Sequence, residues 1–155
     1  MVNVSITTQL FLCDVVAARA IVCDADAGFD AVITLMSEPP WPPSHCKIPW
    51  HYFQLDDTMC MFKGEFMNTI KPVARLIGKY IRQRKKILVH CRAGTNRSCA
   101  ALVMYFIHYA PTADRLPSLE CARSYIERAK KEQCVKPWAT LTNSVFVSYL
   151  MACNR

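Results

Sequence analysis

A chain of 155 residues, 52% hydrophobic and 20% charged, has the size and composition of one packed globular domain. Those proportions exclude a disordered chain, and no uncharged apolar run reaches the ~18 residues that a membrane span needs. The formal net charge of +7 points to an anionic partner such as phosphorylated protein, nucleic acid or acidic lipid heads.

In chain order, Thr8 to Cys13 reads as a strand around Leu10-Phe11-Leu12, followed by a helical stretch from Val15 to Cys23. Gly28 precedes a second strand, Ala31 to Met36. Glu38-Pro39-Pro40-Trp41-Pro42-Pro43 cannot be a regular element and reads as a rigid surface loop, with a polyproline ligand as the alternative. Trp50 to Leu55 alternates as a strand and ends in Asp56-Asp57-Thr58. Phe66, Ile70, Val73, Ile77 and Ile81 have the spacing of an amphipathic helix over Phe66 to Gln83, strained at Pro72 unless the helix begins nearby. A basic turn, Arg82 to Lys86, leads into the apolar strand Ile87-Leu88-Val89. Ser98 to Tyr109 is nearly all apolar and reads as a buried helix. Pro111 to Pro117 is a loop, and Leu119 to Lys131 and Leu141 to Met151 are the last helices. Alternating strands and helices predict a single α/β domain over residues 1–155, with a central mostly parallel sheet flanked by helices.

Nine cysteines include no C-x-x-C pair, and several lie inside apolar runs, where cysteine behaves as a small hydrophobe. With no signal-peptide pattern at the N-terminus, the expectation is free thiols in a reducing cytoplasm or nucleus. A zinc site wants paired ligands, so Cys46 beside His45 is a weak candidate for one.

The most informative stretch is Val89-His90-Cys91-Arg92-Ala93-Gly94-Thr95-Asn96-Arg97-Ser98. A strand runs into a cysteine, a glycine-containing loop follows, and an arginine opens a helix. A loop between a strand and a helix N-terminus turns backbone N–H groups inward, and the helix dipole adds partial positive charge. The centre of such a cradle stabilises negative charge, and the thiolate is the nucleophilic form of cysteine. Arg97 has the planar fork that grips two phosphoryl oxygens. Cleaving a phosphate monoester also requires a proton for the leaving oxygen. Asp56 and Asp57, just past a strand, are the candidates. Alternation from Phe53 and Leu55 puts Asp57, not Asp56, on the inward side.

His90-Cys91, five residues, then Arg97-Ser98 resembles the signature of the cysteine-based protein tyrosine phosphatase superfamily. Phe53-Gln54-Leu55-Asp56-Asp57 is similar to the general-acid segment of its dual-specificity members. Leu10 to Cys13, Ala31 to Leu35 and Leu141 to Tyr149 resemble the first strand, an inner strand and the terminal helix of that fold. The nearest relatives in style are small atypical dual-specificity phosphatases, including viral ones; Cys99 departs from the glycine or alanine common there. The resemblance implies a cofactor-free hydrolase that needs no metal. Cys91 is its nucleophile, and Arg97 with the amides of Arg92, Ala93, Gly94, Thr95 and Asn96 binds the phosphoryl oxygens. Asp57 is the general acid, and Ser98 assists the sulfur as leaving group. His90 orients the loop and helps keep Cys91 ionised.

The implied substrates are phosphotyrosine and phosphoserine or phosphothreonine in proteins, because 155 residues leave little room for the pocket-deepening loop of tyrosine-specific relatives. The alternatives are an RNA 5′-triphosphatase on the same fold, with RNA as partner of the basic surface, and a phosphate-binding pseudophosphatase. Retention of Cys91, Arg97 and an aspartate weighs against the last.

Overall fold

Strands β1 (Val4–Ser5), β2 (Leu10–Cys13), β3 (Ala31–Met36), β4 (Trp50–Gln54) and β5 (Ile87–His90) form one sheet in the order β1-β2-β5-β3-β4. These coordinates come from a computed structural model that describes residues 3–134 and 137–153. β5 lies at the centre, parallel to β2 on one side and to β3 on the other; β4 is parallel to β3, and only β1 runs antiparallel. Every residue of β3 and β5 is buried, as expected of parallel strands covered on both faces. Two residues carry no period, so β1 was not legible in the sequence. β2 begins at Leu10, not Thr8, because the Thr7 hydroxyl accepts the N–H groups of Gln9 and Leu10 and holds a turn there.

One face of the sheet, through Leu10, Leu12, Ile33, Ile87 and Val89, packs on the larger core. Helices α2 (Lys63–Arg82), α3 (Arg97–Met104), α4 (Leu119–Gln133) and α5 (Ser144–Ala152) cover it. The other face, through Val32 and Leu88, is covered by α1 (Val15–Val22) and Trp41. Asp14 caps α1 by accepting the Ala17 N–H at 2.9 Å, and Ser118 caps α4 at Cys121 N–H.

Besides the start of β2, three helices differ from the sequence reading by three residues or in type. Helix α2 starts at Lys63 and passes through Pro72. An interior proline costs roughly 3 kcal/mol, but each buried large apolar side chain returns about 1.5–3 kcal/mol, and Phe66, Met67, Ile70, Val73 and Ile77 are all buried. The expected helix to Tyr109 is α3 followed by a π turn, Tyr105–Tyr109, in which Ala110 N–H reaches the Tyr105 carbonyl at 2.8 Å. The last helix starts at Ser144, not Leu141, because Leu141 is left-handed (φ 54°) and Asn143 is the cap.

The proline-rich segment is not wholly a surface loop. Trp41 is 3% exposed and stacks on the His90 ring at 5.4 Å. Below it runs a buried polar chain. Trp50 Nε1–H donates to Thr34 Oγ1 at 2.8 Å, and Thr34 Oγ1 lies 2.6 Å from His90 Nε2. His90 Nδ1 lies 3.1 Å from the Cys91 carbonyl. A carbonyl only accepts, so Nδ1 carries the proton and Nε2 accepts from Thr34. Burial pushes His90 down to about 4, against the weaker opposing pull of its bond to the Cys91 backbone.

The imidazole is therefore neutral, and folded-state protonation is resisted below the ordinary value of 6.5. Between those values the unfolded chain binds the extra proton, so stability from this site is present above 6.5 and lost as the pH falls toward 4. The expected loss is about 2 kcal/mol by pH 5. A denaturant midpoint that drops between pH 6.5 and 5, and drops clearly less in His90→Asn, is the expected result; equal slopes would exclude His90 as the source.

Candidate active site

At the carboxyl end of β5 the chain leaves the sheet at Cys91 and enters α3 at Arg97. In a trans peptide the C=O and the following N–H point in opposite directions. A loop that turns its carbonyls outward therefore turns its amides inward. Donors outside the loop hold four of its carbonyls. His90 Nδ1–H binds the Cys91 carbonyl, and Val15 N–H binds that of Arg92 at 3.0 Å. Trp138 Nε1–H binds that of Gly94 at 2.7 Å, and Leu141 N–H that of Thr95 at 2.9 Å. Among the described residues none of the backbone N–H groups from Arg92 to Arg97 has a protein acceptor. They are free donors around the cysteine, the arrangement that binds an oxyanion.

Gly94 has φ 69°, and a Cβ there would sit 3.0 Å from Trp138 Nε1 and 3.1 Å from the Cys13 carbonyl. Only glycine meets both demands.

Cys91 is 2% exposed, with Sγ 3.2 Å from Ser98 Oγ. Arg97 is 6% exposed; its Nη1 donates to the Leu55 carbonyl at 3.1 Å, and its Nε is buried without an acceptor. One edge of the guanidinium is thus fixed by the end of β4 and donors remain for a ligand. His90 meets the loop as a neutral ring whose Nδ1–H binds the Cys91 carbonyl and fixes the orientation of that peptide.

Asn96 occupies the N-cap position of α3, yet its side chain makes no cap bond, which leaves the first-turn N–H groups open. That side chain reaches Asp57 instead: Nδ2 donates to Asp57 Oδ2 at 2.9 Å, and Oδ1 accepts the N–H groups of Thr142 and Asn143. Asn143 Nδ2 donates to the other oxygen, Asp57 Oδ1, at 2.9 Å, while its Oδ1 caps α5 at Val145 and Phe146. Asp57 is therefore joined to the loop, whereas Asp56 makes no hydrogen bond to it among the described residues. Both aspartates are exposed, as are Arg92 and Ala93, so the site opens at the surface. The sequence reading missed the positioning role of Asn143 and the contacts of Trp138 and Lys130 with Gly94. An Asn before an apolar helix signals a cap, but nothing in the sequence says that its amide nitrogen faces Asp57.

Among the described residues no group of three or more His, Cys, Asp or Glu is placed to hold a metal ion, and no helix is long and apolar enough to cross a membrane.

The family described as dual specificity phosphatase, catalytic domain, matches residues 10–137. No curated protein matches the sequence. Among solved structures, the OH1 tyrosine phosphatase of Orf virus superposes with a TM-score of 0.73 at 20% identity, covering 97% of this chain and 85% of that one. Human DUSP28 gives 0.72 at 20% identity, over 99% and 95% of the two chains. The PTP-2 phosphatase of Cydia pomonella gives 0.74 at 19% identity, over 97% and 88%. At such identities the structures share the fold. The family match, over a fold that brings Cys91, Ser98, Arg97 and Asp57 to one loop, makes the chain a cysteine-dependent phosphatase belonging to the dual-specificity phosphatase family.

Proposed function

We propose that the protein hydrolyses phosphotyrosine and phosphoserine or phosphothreonine in protein substrates through a phosphocysteine intermediate. The observation that carries this reading is the loop itself, with its carbonyls bonded outward and its amides free around Cys91. A phosphoryl dianion seats on the amides of residues 92–97 and on Arg97. Cys91 Sγ attacks phosphorus; the S–P bond forms as the bond to the leaving oxygen breaks. Asp57 gives that oxygen a proton. Each Asp57 oxygen accepts one amide N–H, and a carboxyl oxygen has lone-pair room for a proton besides. In the second step water attacks phosphorus, Asp57 takes its proton, and the Ser98 hydroxyl, 3.2 Å from the sulfur, supports the departing thiolate. A rim of exposed residues, Arg92, Ala93 and Asp57, suits short phosphorylated side chains as well as tyrosine. Rates on a phosphotyrosine peptide, a phosphothreonine peptide and triphosphorylated RNA, measured side by side, test the substrate class. Turnover of the RNA alone would replace the protein reading by the triphosphatase one.

Cys91→Ser is expected to lose turnover and keep phosphate binding, since the alcohol is far less ionised than a thiol but leaves the amides in place. Steady-state activity near wild type in that variant would remove Cys91 as nucleophile.

Asp57→Asn is expected to slow hydrolysis of an alkyl phosphate by about 10²- to 10⁴-fold. Activated aryl phosphates, which need little protonation, should suffer less, and Asp56→Asn should matter little for either. A larger, leaving-group-dependent loss in Asp56→Asn would move the acid to Asp56.

A further inference from the structure

Lys130, on α4, is completely buried, and no carboxylate lies within ion-pair distance of it among the described residues. Its Nζ donates to the carbonyls of Ala139 at 2.9 Å and Gly94 at 3.2 Å and to Thr140 Oγ1 at 2.8 Å. It also lies 3.7 Å from Cys99 Sγ and 4.8 Å from the centre of the Trp138 ring. Buried cations are ordinarily paired with a counter-charge, because neutral dipoles only partly replace water around a full charge. Here the atoms in contact with it are dipoles alone, and burial pulls the ammonium below the ordinary lysine value.

The Gly94 oxygen receives a further unusual share of donors. Trp138 Nε1–H reaches it at 2.7 Å and Cys99 Sγ–H at 3.3 Å, besides Lys130. Burial holds the Cys99 thiol up at about 12, so it stays a donor. A carbonyl has two lone pairs. Three donors, one of them charged, pull electron density toward that oxygen and strengthen the N–H at the far end of the same peptide, which belongs to Thr95. That N–H is one of the free donors of the cradle.

We propose that Lys130, acting with Trp138 through the Gly94–Thr95 peptide, is a positioning residue whose buried positive charge takes the phosphoryl group in the loop as its counter-charge. The proposal rests on the phosphate-cradle reading above. The ammonium does not touch the substrate. It aims and polarises one peptide of the cradle and places a fixed charge behind it, where no water screens it.

The test uses Lys130→Met, Lys130→Arg and Trp138→Phe, with p-nitrophenyl phosphate as substrate and tungstate as the probe anion, its affinity read by calorimetry. A hydrogen bond from a charged donor is worth enough that Lys130→Met is expected to weaken tungstate binding and lower kcat/KM each by about tenfold or more. Lys130→Arg, which keeps the charge, should recover most of the tungstate affinity; a residue that merely fills space would be replaced better by Met. Trp138→Phe removes one donor, keeps a ring against the ammonium, and should lose affinity by about threefold. Folded Lys130→Met with tungstate affinity and kcat/KM within twofold of wild type overturns the proposal. Should that variant not fold, wild-type affinity and kcat in Trp138→Phe overturn it instead. A wild-type protein that binds tungstate but hydrolyses nothing would sink the phosphatase reading, and the role of Lys130 would then stand or fall on the tungstate affinities of the variants.

Discussion

A stretch of backbone can offer its amides to an anion only if each carbonyl is turned away and satisfied elsewhere, because the two groups share one rigid plane. In the loop from Cys91 to Arg97 the carbonyls of Cys91, Arg92, Gly94 and Thr95 are held by partners drawn from four separate regions of the chain, while exposed Ala93 leaves its carbonyl to solvent. His90 adjoins the loop; Val15 starts α1; Trp138 follows α4; Leu141 precedes α5. The elements that pack on both faces of β5 are thereby the ones that set the loop. The cradle is a consequence of the fold's assembly rather than of the loop's own preferences.

The two asparagines divide the remaining task. Asn96 stands where a helix cap belongs but leaves the cap unmade, so the α3 dipole stays open to a ligand. Its amide and that of Asn143 hold one Asp57 oxygen each. Because Asn143 also caps α5, the position of Asp57 is tied to the start of that helix. This interlock explains why Leu141 adopts an unfavourable left-handed conformation: its N–H must meet the Thr95 carbonyl while Asn143, two residues on, starts the helix.

Much of the layout was legible from residue pattern. β3 and α1 lie within a residue of where alternation and apolar spacing place them, and the strand-to-helix junction around Cys91 falls where glycine and the apolar run after Arg97 require. The misreadings have local physical causes. Pro72 sits inside α2 because tertiary burial outweighs one lost hydrogen bond. Trp41 escaped notice because five neighbouring residues, four of them prolines, look like exposed loop, while its indole fills the space over His90. The π turn at Tyr105–Tyr109 leaves no mark in an apolar helical run.

The sequence by itself determined which reactive groups the loop carries: a cysteine, an arginine and a serine at the ends of one short loop, and an aspartate past another strand, are adjacent in the chain or follow a two-residue alternation. Only the tertiary structure decided which atoms face each other across large separations. Asn143 lies 86 residues from Asp57, and Lys130 lies 36 from Gly94. Such pairs leave no periodicity, because hydrogen-bond partners brought together by packing obey the geometry of the sheet and helices and not the spacing of the chain.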